Sequence, residues 1–351
     1  MKSFQTERWT VDNFEENLIE HPHIIQASLW IKQNEVVALP TETVYGLAGN
    51  AQSDQAIARI FEAKGRPSDN PLIVHISDRE QLEGLVSSIP ENAEKLMNAF
   101  WPGPLTIVLP RGEEVSEKVT AGLSTVAVRM PDHKVALAVI EASGVPLAAP
   151  SANLSGKPSP TTADHVYEDL KGKIPGIVDG GATGVGVEST VVECTDDLVT
   201  ILRPGGVTLE DLQRIVGTGS VSIDPGIQNE HLAPRSPGMK YTHYAPDAPF
   251  VLVDGSPEFL QKLVDNERVA GKRIGILTTE ERANFYKADT IIPAGRREEP
   301  ETVARHLYEA LRSFNEAGVD QIFGEVFPKT GVGVAIMNRL EKSAGGNIIK
   351  E

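Results

Sequence analysis

The sequence predicts a two-domain α/β protein. Three observations predict it. Apolar runs of strand length alternate with segments of helical period. A stretch rich in Gly, Pro, Ser and Asn near residues 217–249 interrupts that alternation. The length of 351 residues exceeds the roughly 250 that one hydrophobic core ordinarily fills.

In chain order, 36–39 reads as a strand and 53–64 as a helix that Ser53 caps. Residues 72–76 are a strand, and 91–101 a helix ended by Pro102-Gly103-Pro104; 105–109, 126–128 and 147–149 are short strands. Thr161-Thr162-Ala163-Asp164 resembles a capping box that opens a helix to about Leu170. Strands at 177–178, 190–192 and 199–202 follow, then a helix at 209–216. Beyond the interruption, strands at 250–253, 273–277, 290–292 and 321–326 alternate with helices at 258–269 and 303–317, and a last helix runs over 334–342. That order is expected of a small parallel sheet with helices on both faces. The predicted boundaries are 13–216 for the first domain, 217–248 for a linker and 249–347 for the second domain. The linker tail, SPGMKYTHYAP at 236–246, is denser in aromatic and hydrogen-bonding side chains than a spacer requires.

Composition narrows the function classes. With 40% hydrophobic and 23% charged residues, the chain can bury sizeable cores, so disordered and fibrous classes are excluded. One cysteine, Cys194, can form neither an internal disulfide nor a multi-thiolate metal site, which fits a reducing cytoplasm. The amino terminus, MKSFQTERWT, lacks the apolar core of a secretory signal, and no run approaches the roughly 18 apolar residues of a membrane span. A soluble, cytoplasmic protein without a membrane partner is expected. The formal charge is 33 minus 49, or −16; residues 249–351 hold 14 basic and 16 acidic groups, which leaves −14 for residues 1–248. Such a field repels nucleic acid at long range, so an anionic ligand of the first domain needs a local basic pocket.

Several polar strings stand at strand ends. Pro40-Thr41-Glu42-Thr43-Val44-Tyr45-Gly46-Leu47 follows a buried strand, where hydroxyls face either a ligand crevice or only their own turn. Lys64-Gly65-Arg66-Pro67-Ser68-Asp69-Asn70-Pro71 places two cations two residues apart in a rigid loop. They converge on phosphate oxygens, or Lys64 merely caps its helix while Arg66 is solvated. Pro150-Ser151-Ala152-Asn153-Leu154-Ser155-Gly156 suits either nucleotide hydrogen bonds or a tight turn. Arg129, at another strand end, needs an anionic partner if buried, an internal carboxylate or a substrate one. Arg203-Pro204-Gly205-Gly206 repeats the theme. His75 on an alternating strand, and Cys194 with no base beside it, read as packing. His21 and His23 lie in a polar segment without metal-ligand spacing. The loop at 180–186 is glycine-rich, but a β-like run follows it rather than the helix a dinucleotide site needs; Walker-type phosphate-loop, zincin and Gly-x-Ser-x-Gly signatures are absent.

Taken together, PTETVYGL at 40–47, KGRPSDNPLIVHI at 64–76, SANLSG at 151–156, GVESTVV at 186–192 and RPGG at 203–206 resemble the YrdC-like family. Members make L-threonylcarbamoyladenylate, the activated intermediate for N6-threonylcarbamoyl modification of adenosine in tRNA. SPGMKYTHYAP and the trailing α/β domain are similar to the long, two-domain form, so the resemblance covers nearly the whole chain. It implies a YrdC-like twisted mixed-sheet catalytic domain, a linker over the active site and a smaller Rossmann-like domain. It also implies an enzyme that uses L-threonine, bicarbonate and ATP and releases pyrophosphate, a nucleotidyltransferase whose downstream partners are tRNA threonylcarbamoyl transferase proteins. By matching motif, Thr43, His75, Arg129, Ala149 and Ser189 would hold threonine. Lys64, Arg66, Asn70, Thr125, Ser151, Asn153, Ser159, Arg203, Tyr241 and His243 would surround ATP, with Mg2+ on its phosphates and Lys64 and Arg66 as the catalytic pair. Tyr241, His243 and Tyr244 would reach back over the pocket and limit carbamate loss to water. Thr242 departs from the basic residue expected there, which weakens a phosphate contact at that position. Two rivals stay open. A double-stranded RNA-binding module conflicts with the net charge, so tRNA binding is expected to be weak or indirect. A carbamoyl transferase with another acceptor would bring cysteine-rich zinc modules, which one cysteine cannot build.

Overall fold

The structure is a computed structural model and describes residues 3–12, 16–227 and 243–351. Where described, residues 1–155, 160–184 and 188–240 form one compact unit, and 156–159, 185–187 and 241–351 form a second. Eleven strands build the first unit: β1 (Glu7–Thr10), β2 (Val37–Leu39), β3 (Gly46–Asn50), β4 (Ile73–His75), β5 (Leu105–Pro110), β6 (Thr125–Arg129), β7 (Leu147–Ala148), β8 (Gly176–Asp179), β9 (Thr190–Cys194), β10 (Val199–Arg203) and β11 (Val221–Ile223). They share one mixed sheet in the order β1-β8-β2-β3-β7-β4-β6-β5-β9-β10-β11.

Side chains alternate across a strand, so the faces of the central strands can be read directly. Val74, Ile107, Leu109, Val126, Val128 and Val192 point into the main core, where residues of the helices Asp54–Lys64, Glu91–Phe100 and Ala163–Leu170 meet them. A second core packs the helices Pro22–Lys32 and Lys134–Ser143 against β1, β2, β3 and β8. Among the described residues, the opposite parity of β4, β5, β6, β9 and β10 supplies a five-residue cluster, Ile73, Val108, Ala127, Val191 and Leu202, to which no helix contributes. That thin apolar floor is where polar side chains gather.

The second unit is a five-stranded sheet of β12 (Phe250–Asp254), β13 (Ile274–Thr278), β14 (Thr290–Pro293), β15 (Gln321–Glu325) and β16 (Ile348–Lys350). All pairs are parallel, in the order β14-β13-β15-β12-β16, with helices Pro257–Val269, Pro300–Ala317 and Gly333–Ser343 between strands, as the periodicity predicts.

Some elements were not legible. The polar segment of His21 and His23 opens a helix that the sequence reading did not include: His21 caps the helix Pro22–Lys32 by accepting the amide of His23 at 3.1 Å. The first of the residues predicted irregular form β11, which pairs parallel to β10. Thr162 caps its helix through the His165 amide, but the third helical residue is that histidine, so no reciprocal carboxylate completes a capping box. No helix among the described residues is long and apolar enough to cross a membrane.

Candidate functional site

The Asp54–Lys64 helix starts at Ser53, which accepts the Ala56 amide, and stops at Gly65, whose φ of 61° lies in the left-handed region. The helix therefore ends by delivering Lys64 inward. Lys64 does not cap its own helix. Its buried Nζ donates to the Ser151 carbonyl, to the Asn153 carbonyl at 2.7 Å and to Asn153 Oδ1 at 3.4 Å. Ser151 Oγ donates to Asn153 Oδ1 at 2.5 Å, and Asn153 Nδ2 to the Leu154 carbonyl at 2.7 Å. Burial, and then the charge of Arg66, hold the Lys64 ammonium well below its usual range. Arg66 is half-buried in the following loop. Asn70, at the end of that loop, is fully buried, and neither amide atom of its side chain has a hydrogen-bond partner.

Across the apolar floor, register sets the neighbours. His75 lies opposite Arg129 on parallel strands β4 and β6, and Ile73 lies opposite Ala127. Continuing that register puts Thr125 level with residue 71, beside Asn70. Ala149 donates its amide to the Ile73 carbonyl at 3.0 Å. Burial, then the Arg129 charge, push His75 down to about 3, so its imidazole is neutral, with Nδ1 3.3 Å from the Ile73 carbonyl. Arg129 is buried: Nε donates to the Gly103 carbonyl at 3.1 Å and Nη1 to Thr43 Oγ1 at 3.0 Å. Its anionic partner is internal, because Nη2 lies 2.5 Å from Glu42 Oε1. On the next strands, Ser189 Oγ and Thr106 Oγ1 are 2.7 Å apart. A register shift between Ile201 and Arg203 turns Arg203 onto the same face, opposite Val191. There Nε and Nη2 donate to the Ser189 carbonyl at 3.1 and 3.0 Å, and Nη2 also to Ser189 Oγ at 3.2 Å. The turn after Arg203 admits only glycine at 205, since a Cβ there would stand 2.3 Å from the Thr190 nitrogen.

The first unit thus holds three polar groups: Lys64 with Ser151, Asn153 and the adjoining Arg66; Thr43 with His75 and Arg129; and Ser189 with Arg203, of which His75, Arg129 and Arg203 share one face of the sheet. Asn70 lies three residues before β4, the strand that ends at His75. The Glu188 charge also acts on Lys64, which relates the first group to the third. Ser159 and His243 belong to the second unit, where Tyr244 stacks on Tyr308 with ring centroids 5.2 Å apart. Tyr241 and Thr242, with the rest of residues 228–242 of the predicted linker, lie outside the described residues. Sequence reasoning missed Glu42 and Thr106; Glu42 is the one acid in a hydroxyl-rich string after a buried strand, and that was the available signal. Among the described residues no cluster of His, Cys, Asp and Glu is arranged to hold a metal ion. Cys194 is buried, its thiol pushed up to about 12 by burial and the Glu193 charge.

Comparison with known proteins adds an independent line. A family model for Sua5, YciO and YrdC proteins, described as "Telomere recombination", matches residues 30–205. A second, described as "Threonylcarbamoyl-AMP synthase, C-terminal domain", matches residues 207–345. The chain is 57% identical over 347 residues to a threonylcarbamoyl-AMP synthase of Bacillus subtilis, covering 99% of this chain and 100% of that one. It is 48% identical to a threonylcarbamoyl-AMP synthase of Pyrococcus abyssi, covering 95% of this chain and 97% of that one. Among solved structures, it superposes with a TM-score of 0.91 and 46% identity on a crystal structure of P. abyssi Sua5 complexed with L-threonine, covering 99% of this chain and 100% of that one.

Proposed function

The chain belongs to the Sua5/YrdC family in its two-domain form, and from that premise we propose that it is a threonylcarbamoyl-AMP synthase whose active site is the polar face of the first unit's sheet. ATP is a substrate of that reaction. The observation that carries the reading is the meeting of the Lys-x-Arg and Ser-x-Asn pairs, 87 positions apart, through the bonds from Lys64 to the Ser151 loop.

The threonine end is the register pair His75 and Arg129 with Thr43, Ala149 and Ser189 beside it. Arg129 takes the substrate carboxylate through Nη2, and neutral His75 offers a hydrogen-bond partner without adding charge. The nucleotide end is Lys64, Arg66, Asn70, Thr125, Ser151, Asn153 and Arg203. Burial and Arg66 already disfavour the charged Lys64, so arriving phosphate relieves a standing electrostatic cost. The orphaned Asn70 amide supplies a donor and an acceptor to the same ligand. Bicarbonate condenses with the threonine amine and loses water. A carbamate oxygen then bonds to the α-phosphorus as the α–β bridging bond breaks and pyrophosphate leaves. No protein nucleophile is required, because nucleotidyl transfer rests on positioning and charge neutralisation. Mg2+ would be held by the ATP phosphates. The adenylate passes to downstream transferase proteins for adenosine modification in tRNA, with little direct hold on tRNA here.

Pyrophosphate release that needs L-threonine, bicarbonate and ATP together supports this function. Release that is unchanged when threonine is left out contradicts it.

A further inference from the structure

The residues assigned to threonine include one cation, Arg129, and no anion. A pocket of that kind recognises a carboxylate but leaves the amino acid's ammonium uncompensated. Burying an unpaired charge is costly, so a zwitterion needs an acid as well as a base.

Glu42 meets that need. Its side chain is mostly buried, and both carboxylate oxygens are shielded from solvent without accepting a hydrogen bond. Its one strong contact is the charge of Arg129 Nη2 at 2.5 Å, an ion pair in which Nη2 also lacks hydrogen-bond geometry. The other Arg129 nitrogens are engaged by Gly103 and Thr43, so Nη2 is the atom available for exchange. The Glu42 charge also acts on His133, whose buried Nδ1 likewise has no hydrogen-bond partner. Carboxylates ordinarily accept several hydrogen bonds when buried, and one held by a single ion pair keeps acceptor capacity for a further donor.

We propose that Glu42 is the charge partner of the threonine ammonium. The Glu42–Arg129 ion pair opens around the zwitterion: Arg129 passes to the substrate carboxylate and Glu42 to the substrate ammonium, so every buried charge keeps an opposite neighbour. The inference rests on the threonine-using function proposed above and adds a specificity-determining residue to it.

The test is calorimetric binding to the full chain, without ATP or bicarbonate, of L-threonine and of (R)-3-hydroxybutanoate, which keeps the carboxylate and hydroxyl but lacks the ammonium. Wild-type protein should prefer threonine, and Glu42→Gln should weaken threonine roughly 10- to 100-fold, the worth of a charged hydrogen bond, while leaving 3-hydroxybutanoate no weaker. Glu42→Asp should recover part of the loss, and ATP binding to all three proteins serves as the check on folding. Should Glu42→Gln fail that check, the Glu42→Asp protein alone decides, by whether the preference for threonine over 3-hydroxybutanoate narrows. Threonine binding by Glu42→Gln within twofold of wild type, or tighter, overturns the proposal and leaves Glu42 as an internal counter-ion. Wild-type protein that binds no threonine overturns the functional reading itself.

Discussion

Arg66 and His133 give two predictions at the scale of single residues. If Arg66 neutralises phosphate charge as the α-phosphorus is attacked, Arg66→Ala should lose about 2–4 kcal/mol of transition-state stabilisation, read as a fall in kcat/KM for pyrophosphate release. Wild-type turnover in that variant removes Arg66 from the site. The second concerns pH. Burial and Arg129 push His75 down to about 3, and burial, opposed by Glu42, pushes His133 down to about 4, against an ordinary value of 6.5. Both stay neutral in the folded chain while the unfolded chain gains protons below 6.5. The stability they allow is therefore full above pH 6.5 and is lost as pH falls toward 4 and 3. Between pH 7 and 5, urea unfolding of His133→Asn should lose about 1–2 kcal/mol less than wild type. Equal losses contradict the assignment. At this scale the sequence showed the cations and hydroxyls but not their pairing. The rule that a buried Arg129 needs an anion was legible; that Glu42 supplies it depends on a turn and a strand far apart in sequence, brought within 2.5 Å only by folding.

Among the elements, capped helices and register-bound strands deliver the site. Ser53→Ala should cost about 1 kcal/mol, the worth of an N-cap, by chemical denaturation, and leave the carbonyl cage around Lys64 intact. Gly205→Ala is the contrasting change. Its Cβ would collide with backbone atoms of Ser189 and Thr190, so the strand that carries Ser189 must move away from Arg203. A loss of at least ~1–3 kcal/mol is expected, with a rise in KM for threonine; unchanged KM and midpoint would show that the turn is free to shift. Strand-end loops were legible because apolar runs stop abruptly at hydroxyls, Gly and Pro. The Lys134–Ser143 helix was not, since it is apolar almost all round and shows little helical period. Strand β3, Gly-Leu-Ala-Gly-Asn, carries little strand propensity and owes its form to pairing with β2 and β7. Likewise β11 is specified by the edge of β10 rather than by its own three residues.

For the whole molecule, the parallel second sheet follows the predicted alternation, whereas strand order does not. The first sheet seats β7 between β3 and β4 and β9 beside β5, pairings between distant segments that no local period encodes. That order is what lines up His75, Arg129, Ser189 and Arg203 on one face. The charge of −14 on residues 1–248 also acts at this scale: tRNA should bind no more tightly than micromolar at physiological salt, the range of non-specific contacts. Nanomolar binding with a steep salt slope in a fluorescence titration would favour the RNA-binding alternative. The most direct measurement of the central claim is a crystal structure of the full chain with ATP, Mg2+ and L-threonine. The account predicts phosphates at Lys64 and Arg66, and the amino acid at His75 and Arg129 within reach of the α-phosphorus. Ligands bound on separate surfaces, or a nucleotide that touches neither Lys64 nor Arg66, would contradict it.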